Sequence, residues 1–147
     1  MPSHQESIFI QRPIEEVFGY MNDVSLEAEW QPQLREAEQI PPGPVAVGTR
    51  RRYVSDFMGR RLENVYVITT YEENSRVVCE TTKDAVMSAT SDIRWEAEGD
   101  GTRVTMALEG RPSGALRFLP SSILEATFEK EVRGALSRLK EILERAA

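Results

Sequence analysis

Pro120-Ser121-Ser122-Ile123-Leu124-Glu125-Ala126-Thr127-Phe128-Glu129-Lys130-Glu131-Val132-Arg133-Gly134-Ala135-Leu136-Ser137-Arg138-Leu139-Lys140-Glu141-Ile142-Leu143-Glu144-Arg145 carries one unbroken helical pattern. Apolar residues recur at Leu124, Phe128, Val132, Ala135, Leu136, Leu139, Ile142 and Leu143, the three-and-four spacing that lays them on one face of a helix. No proline interrupts the run, and Gly134 is its only glycine. Ser122-Ile123-Leu124-Glu125 has the Ser-x-x-Glu form of a capping box, which predicts the helix start there. At 1.5 Å per residue the helix extends about 36 Å. An apolar stripe of that length needs cover, and the surface large enough to provide it is one face of a sheet.

The chain upstream supplies strands for such a sheet. Residues 4–11, with Ile8, Phe9 and Ile10, read as a first strand. Pro13 then suits the first position of a helix, where its missing N–H has no partner to lose, and Ile14, Val17, Phe18 and Met21 keep helical spacing. Asn22-Asp23 breaks that helix. A second short one holds Leu26, Ala28 and Trp30, and Pro32 stops it. Beyond Pro32 the period falls to two. Strands are predicted over 34–40, 47–57, 62–71, 77–82, 87–98 and 102–109, separated by short turns such as Pro41-Pro42-Gly43-Pro44 and Gly99-Asp100-Gly101. The last five read as an antiparallel meander. With no repeat and no linker, residues 1–147 read as one α+β domain.

Composition narrows the function classes. Hydrophobic residues make up 40% of the chain, enough for a sizeable core at this length. A net charge of −6 repels phosphate backbones and argues against non-specific nucleic-acid binding. Cys79 is the only cysteine, so no internal disulfide forms, which suits a reducing cytoplasm. The N-terminal residues lack the pattern of a secretory signal, and no apolar stretch is long enough to span a bilayer. The expectation is a soluble cytoplasmic protein.

Alternation along the strands sorts the side chains by face. Met87, Ala89, Ser91, Ile93, Trp95 and Ala97 alternate with a polar set, and so are predicted to face the helix. Val104, Met106 and Leu108 do so on the next strand, Val77, Cys79 and Thr81 on the preceding one, and Arg51, Tyr53, Ser55 and Phe57 on the strand over 47–57. The strand over 62–71 is apolar on both faces, which leaves Tyr66 undecided. The inward set mixes large residues with small or hydroxylated ones, as ligand pockets do, although tight packing around small residues gives the same pattern. The candidate lining residues are Trp30, Arg51, Tyr53, Phe57, Tyr66, Cys79, Met87, Ser91, Trp95 and Met106, with Leu124 and Phe128 from the helix.

The order of several short segments resembles a known family. These are Pro13-Ile14-Glu15-Glu16-Val17-Phe18 with Asp23, Trp30-Gln31-Pro32, Val47-Gly48-Thr49, Gly59-Arg60, Ile68-Thr69-Thr70-Tyr71-Glu72, Asp100-Gly101-Thr102-Arg103-Val104 and Leu139-Lys140-x-x-Leu143-Glu144. Together they resemble the SRPBCC superfamily, also called START-like or Bet v 1-like, of the polyketide cyclase/dehydrase type. The resemblance implies a helix-grip fold: a seven-stranded antiparallel sheet curled around the long C-terminal helix, with two short helices between the first and second strands. It also implies a cavity for a small hydrophobic or amphipathic molecule such as a lipid or polyketide. Carrier or sensor, cyclase-like enzyme, and protein-interaction module are the three functions it leaves open.

Candidate chemistry is sparse. One His and one Cys make no metal site and imply no cofactor. His4 and Cys79 as a nucleophile pair would need strands that are not neighbours in the resembled fold, so Cys79 reads as a small buried hydrophobe. No catalytic residue is assigned; Tyr53 and Arg51, with Tyr66 if its strand turns that face inward, are the groups with acid–base capability. Residues 50–61 hold five arginines and one acid, a local charge of +4. Those arginines either pair with acids across strands, or Arg51 and Arg60 receive an anionic ligand group. Trp30 is either a gate or a packing residue. The segment 112–120 either packs on the sheet, covers the cavity mouth, or forms part of a homodimer surface.

Overall fold

The computed structural model describes residues 2–83, 85, 87–113 and 117–145. Seven strands, β1 (Ser3–Ile10), β2 (Leu34–Ile40), β3 (Arg50–Phe57), β4 (Arg60–Glu72), β5 (Arg76–Thr81), β6 (Met87–Glu98) and β7 (Gly101–Pro112), form one antiparallel sheet. Its order is β1-β7-β6-β5-β4-β3-β2. Between β1 and β2 lie α1 (Ile14–Met21), a 3₁₀ turn (Val24–Leu26) and the single-turn α2 (Glu27–Trp30), and the long α3 (Ser121–Arg145) follows β7. This is the helix-grip arrangement implied by the sequence resemblance.

Local chemistry explains the boundaries. Pro13 sits at the N-cap of α1 rather than inside it. The Asn22 side chain donates to the Phe18 carbonyl at the other end, and the Asp23 carboxylate accepts from the Ser25 N–H to start the 3₁₀ turn. Gly101 permits the hairpin to return beside β1. A Cβ there would lie 2.4 Å from the Phe9 ring and 2.5 Å from the Ile10 carbonyl oxygen, so any other residue would force strands β1 and β7 apart.

The capping box is not formed where the sequence suggested. Helix α3 begins at Ser121, and the Pro120 carbonyl accepts from Ile123 and Leu124 N–H, which places Ser122 inside the first turn, past the cap. The stripe itself is as predicted: Leu124, Phe128, Val132, Ala135, Leu136, Leu139 and Leu143 are buried. Each fully buried leucine contributes roughly 1.5–3 kcal/mol, so packing holds this helix without a cap. Its C-terminal half is also tied to β1 by polar contacts. Lys140 Nζ donates to the Phe9 carbonyl at 2.6 Å, Glu144 accepts from the Gln11 N–H, and Arg133 pairs with Glu6 at 2.7 Å.

The main core lies where α1 and the C-terminal half of α3 meet β6 and β7. Phe18 packs edge-on against Trp95 with ring centroids 4.7 Å apart, and Trp95 Nε1 donates to Met21 Sδ. Toward the N-terminal half of α3 the packing changes to a smaller cluster of Phe57, Met87, Ala89, Leu124 and Phe128. Between the two clusters the interior is not filled.

Candidate functional site

The unfilled volume is a cavity of about 150 Å³ between the sheet, α2 and the N-terminal half of α3. Register explains its walls. Arg51 lies opposite Tyr66, and Tyr66 opposite Thr81, so the inward set of β3 fixes that of β4 as Leu62, Asn64, Tyr66 and Ile68. This settles the strand whose two faces the sequence could not separate.

Of the residues expected to line a pocket, Trp30, Arg51, Tyr53, Phe57, Tyr66, Cys79, Met87, Ser91, Trp95, Met106 and Phe128 do so. Leu124 does not; it is wholly buried in the smaller cluster beside Phe57 and Phe128. Ala97, also expected to face inward, is exposed, because the sheet extends there beyond its cover. Trp30 is 1% exposed and forms wall, not gate. The segment 112–120 lies partly outside the described residues, and Phe118 within it is exposed.

One end of the cavity holds a polar network that sequence reasoning missed. Glu27, on the single turn α2, is 3% exposed. Its Oε1 accepts from Tyr53 Oη at 2.8 Å and its Oε2 from Gln31 Nε2 at 2.8 Å. Arg51 Nη1 stands 4.0 Å from Oε1, and Arg51 Nη2 donates to the Asn22 side-chain and backbone oxygens at 3.3 and 3.4 Å. Burial raises the Glu27 carboxyl to about 7, against the pull of Arg51 and Tyr53. Burial, with the Glu27 charge added, raises the Tyr53 phenol well above its usual range. Two buried donors in this region, Trp30 Nε1 and Arg51 Nε, have no acceptor.

Helix α3 brings a second missed carboxyl. Glu131 lines the cavity from α3, between Phe128 and Ala135, and burial alone raises it to about 7. Among the described residues it has no hydrogen-bond or ion-pair partner. Its charge, after burial, adds to the upward shift of the Tyr66 phenol, which places it within electrostatic reach of that strand. The signal for Glu131 was in the sequence: it falls three after Phe128 and four before Ala135, inside the apolar stripe.

Two of the five arginines of the hairpin pair across strands. Arg52 pairs with Glu63 at 2.7 Å and Glu36 at 3.7 Å, and Arg61 approaches Asp56 at 4.0 Å. Arg51 alone of the five arginines lines the cavity, while Arg60 is exposed at the hairpin. Six residues of β4 separate Arg60 from the register position of Arg51, about 20 Å along a strand, so the two do not form one anion site. Cys79 lies on β5 and His4 on β1, with β6 and β7 between them. Burial pushes the Cys79 thiol up to about 11, which keeps it protonated and unreactive. Among the described residues no group of three His, Cys, Asp or Glu side chains is placed to hold a metal, and no helix is long and apolar enough to cross a membrane.

The whole chain matches known folds. A START superfamily protein from Mycobacterium smegmatis superposes with a TM-score of 0.84 at 11% identity, covering 99% of each chain. Ara h 8.0201 gives 0.71 at 13% identity over 96% of each chain. The di-domain ARO/CYC StfQ from the steffimycin biosynthetic pathway gives 0.77 at 10% identity, over 99% of this chain and 52% of that one. At these identities the likeness is one of fold. No curated protein matches the chain in sequence. A family model described as polyketide cyclase/dehydrase and lipid transport matches residues 1–144, and the chain belongs to that family.

Proposed function

We propose that this protein binds a small, largely apolar molecule carrying an oxygen acceptor in the cavity between sheet and α3, as a carrier or sensor. The observation that supports this most is the pairing of an apolar, unfilled interior with two buried donors, Trp30 Nε1 and Arg51 Nε, that have no acceptor. Buried donors are ordinarily paired, and a ligand carbonyl or hydroxyl oxygen would supply the missing acceptor. The volume also limits the ligand. A cavity of about 150 Å³ accepts a molecule of roughly one aromatic ring, below the ~300 Å³ at which drug-sized pockets begin. Acetophenone, one ring and one carbonyl, is a matched probe. In a ¹H–¹⁵N NMR titration, saturable shifts at Tyr53, Tyr66, Ser91 and Phe128 are the expected result; unsaturable or purely surface shifts would rule the reading out.

A second reading, an enzyme acting on a keto compound, is favoured by the Tyr53–Glu27 pair. A carboxyl near 7 is half-ionised at neutral pH and can take or return a proton. Such a group, beside donors that hold a carbonyl oxygen, suits enolisation, the first step of a cyclase-type aldol closure. Hydrogen–deuterium exchange at the central carbon of pentane-2,4-dione in D₂O would then be faster with the protein than with Glu27→Gln. Equal rates would remove the enzyme reading and leave the carrier.

A further inference from the structure

Two kinds of unpaired polar group line the cavity. At the Glu27 end both carboxyl oxygens have donors, Tyr53 Oη and Gln31 Nε2, and what remains unpaired is donors. The neighbouring strand, where Asn64 is paired with Tyr53 and Tyr66 with Arg51, adds unpaired acceptors. Asn64 Oδ1 is buried without a partner, and the Glu131 carboxyl has none among the described residues. Tyr66, two residues beyond Asn64 on the same face of β4, brings a phenol that is also without a hydrogen-bond partner among them. A carboxylate only accepts, and a protonated carboxyl still has acceptor capacity to spare. Asn64 Oδ1 and the Glu131 carboxyl therefore both lack a donor among the described residues.

Charge points the same way. Two carboxyls, Glu27 and Glu131, and one guanidinium, Arg51, line the cavity. Glu27 and Asn22 already occupy the ends of the guanidinium. Glu131 has no cation to offset its burial, so an incoming ammonium would stabilise it and an incoming carboxylate would meet repulsion. Resting on the binding function proposed above, we propose that the ligand presents a hydrogen-bond donor, an amine or hydroxyl, to the wall of Asn64, Tyr66 and Glu131, and that it is not an anion. Of the two readings the sequence left open for its arginines, the one in which Arg51 and Arg60 receive an anionic group is the one this proposal goes against.

Four probes of one shape test this: ethylbenzene, 2-phenylethanol, 2-phenylethylamine and 3-phenylpropanoate, titrated by NMR at pH 7.5. The amine should bind about tenfold more tightly than the carboxylate, as expected for one charge-assisted hydrogen bond, with the alcohol between them. In Glu131→Gln the amine should lose about tenfold in affinity while ethylbenzene binds as before, which also shows that the variant's cavity is intact. A carboxylate that binds as tightly as the amine overturns the inference, as does an amine indifferent to Glu131→Gln. If ethylbenzene and the other three all fail to bind, the cavity function itself falls. If ethylbenzene binds and the donor-bearing probes gain nothing over the carboxylate, only the ligand class is wrong.

Discussion

Glu27 and Glu131 face the same cavity, and burial raises both to about 7, yet they differ in every neighbour. Glu27 accepts from Tyr53 and Gln31 and lies against Arg51. Glu131 has no hydrogen-bond or ion-pair partner among the described residues, and the Tyr66 phenol is within electrostatic reach. The same residue type is thus hydrogen-bonded through both oxygens in one place and unpartnered in the other. A raised carboxyl alone does not mark function; a raised carboxyl without partners, beside empty space, does so more sharply.

Removing each group should have opposite signs. Glu27→Ala strips the buried Arg51 of its counter-charge and leaves Tyr53 without an acceptor, and should cost about 3 kcal/mol in urea denaturation at pH 7.5. A cost below about 1 kcal/mol would mean that the network is solvated and the comparison is void. Between these extremes lies a pH effect that both carboxyls share. Each has a folded pKa near 7 against an ordinary 4.5, so between those values the folded state holds protons that the unfolded chain has released. Stability should therefore fall as pH rises from about 4.5 to 7, by on the order of 3 kcal/mol for each carboxyl. Arg51, Tyr53 and Gln31 surround Glu27, and the Tyr66 phenol lies within electrostatic reach of Glu131; none of these three side chains or the phenol changes charge in that window. Thermal melts at pH 5 and pH 7.5 read the effect, and Glu131→Gln should flatten its own share.

Glu131→Leu should stabilise the protein at pH 8 by on the order of 1–2 kcal/mol, because it replaces a half-buried carboxylate that has no ion-pair partner among the described residues with an apolar side chain. Destabilisation instead would reveal a partner for Glu131 that the folded chain supplies in solution. The smallest expected effect is that of Arg60→Ala. Exposed at its hairpin and without an ion pair among the described residues, Arg60 should alter stability and acetophenone affinity by less than about 0.5 kcal/mol.

Much of the fold was legible because burial on one face writes period two into strands and three-to-four into helices. Strands β6 and β7 and helix α3 showed it cleanly, with polar residues holding the opposite face. Strand β4 did not, since Val65 and Val67 are half-buried on its outer face; only pairing with β3 and β5 decides it. Eleven of the twelve proposed lining residues do line the cavity, and Leu124 misses because a helix stripe is wider than the part of it that meets empty space. Glu27 was hidden for a different reason: one turn of helix is too short for a period, and its burial depends on Tyr53 and Arg51 from another element. Glu131 was visible by spacing, but a charge was read as solvated by default.

The central claim is that the cavity, rather than the surface, receives the ligand, and Ser91→Phe tests it most directly. Ser91 lines the cavity from β6, and a phenyl group there would occupy most of the space. Acetophenone affinity should fall by at least about tenfold, more than one displaced methylene's worth of contact, while the melting temperature holds or rises. An unchanged affinity in a folded Ser91→Phe protein would contradict the account and place binding elsewhere.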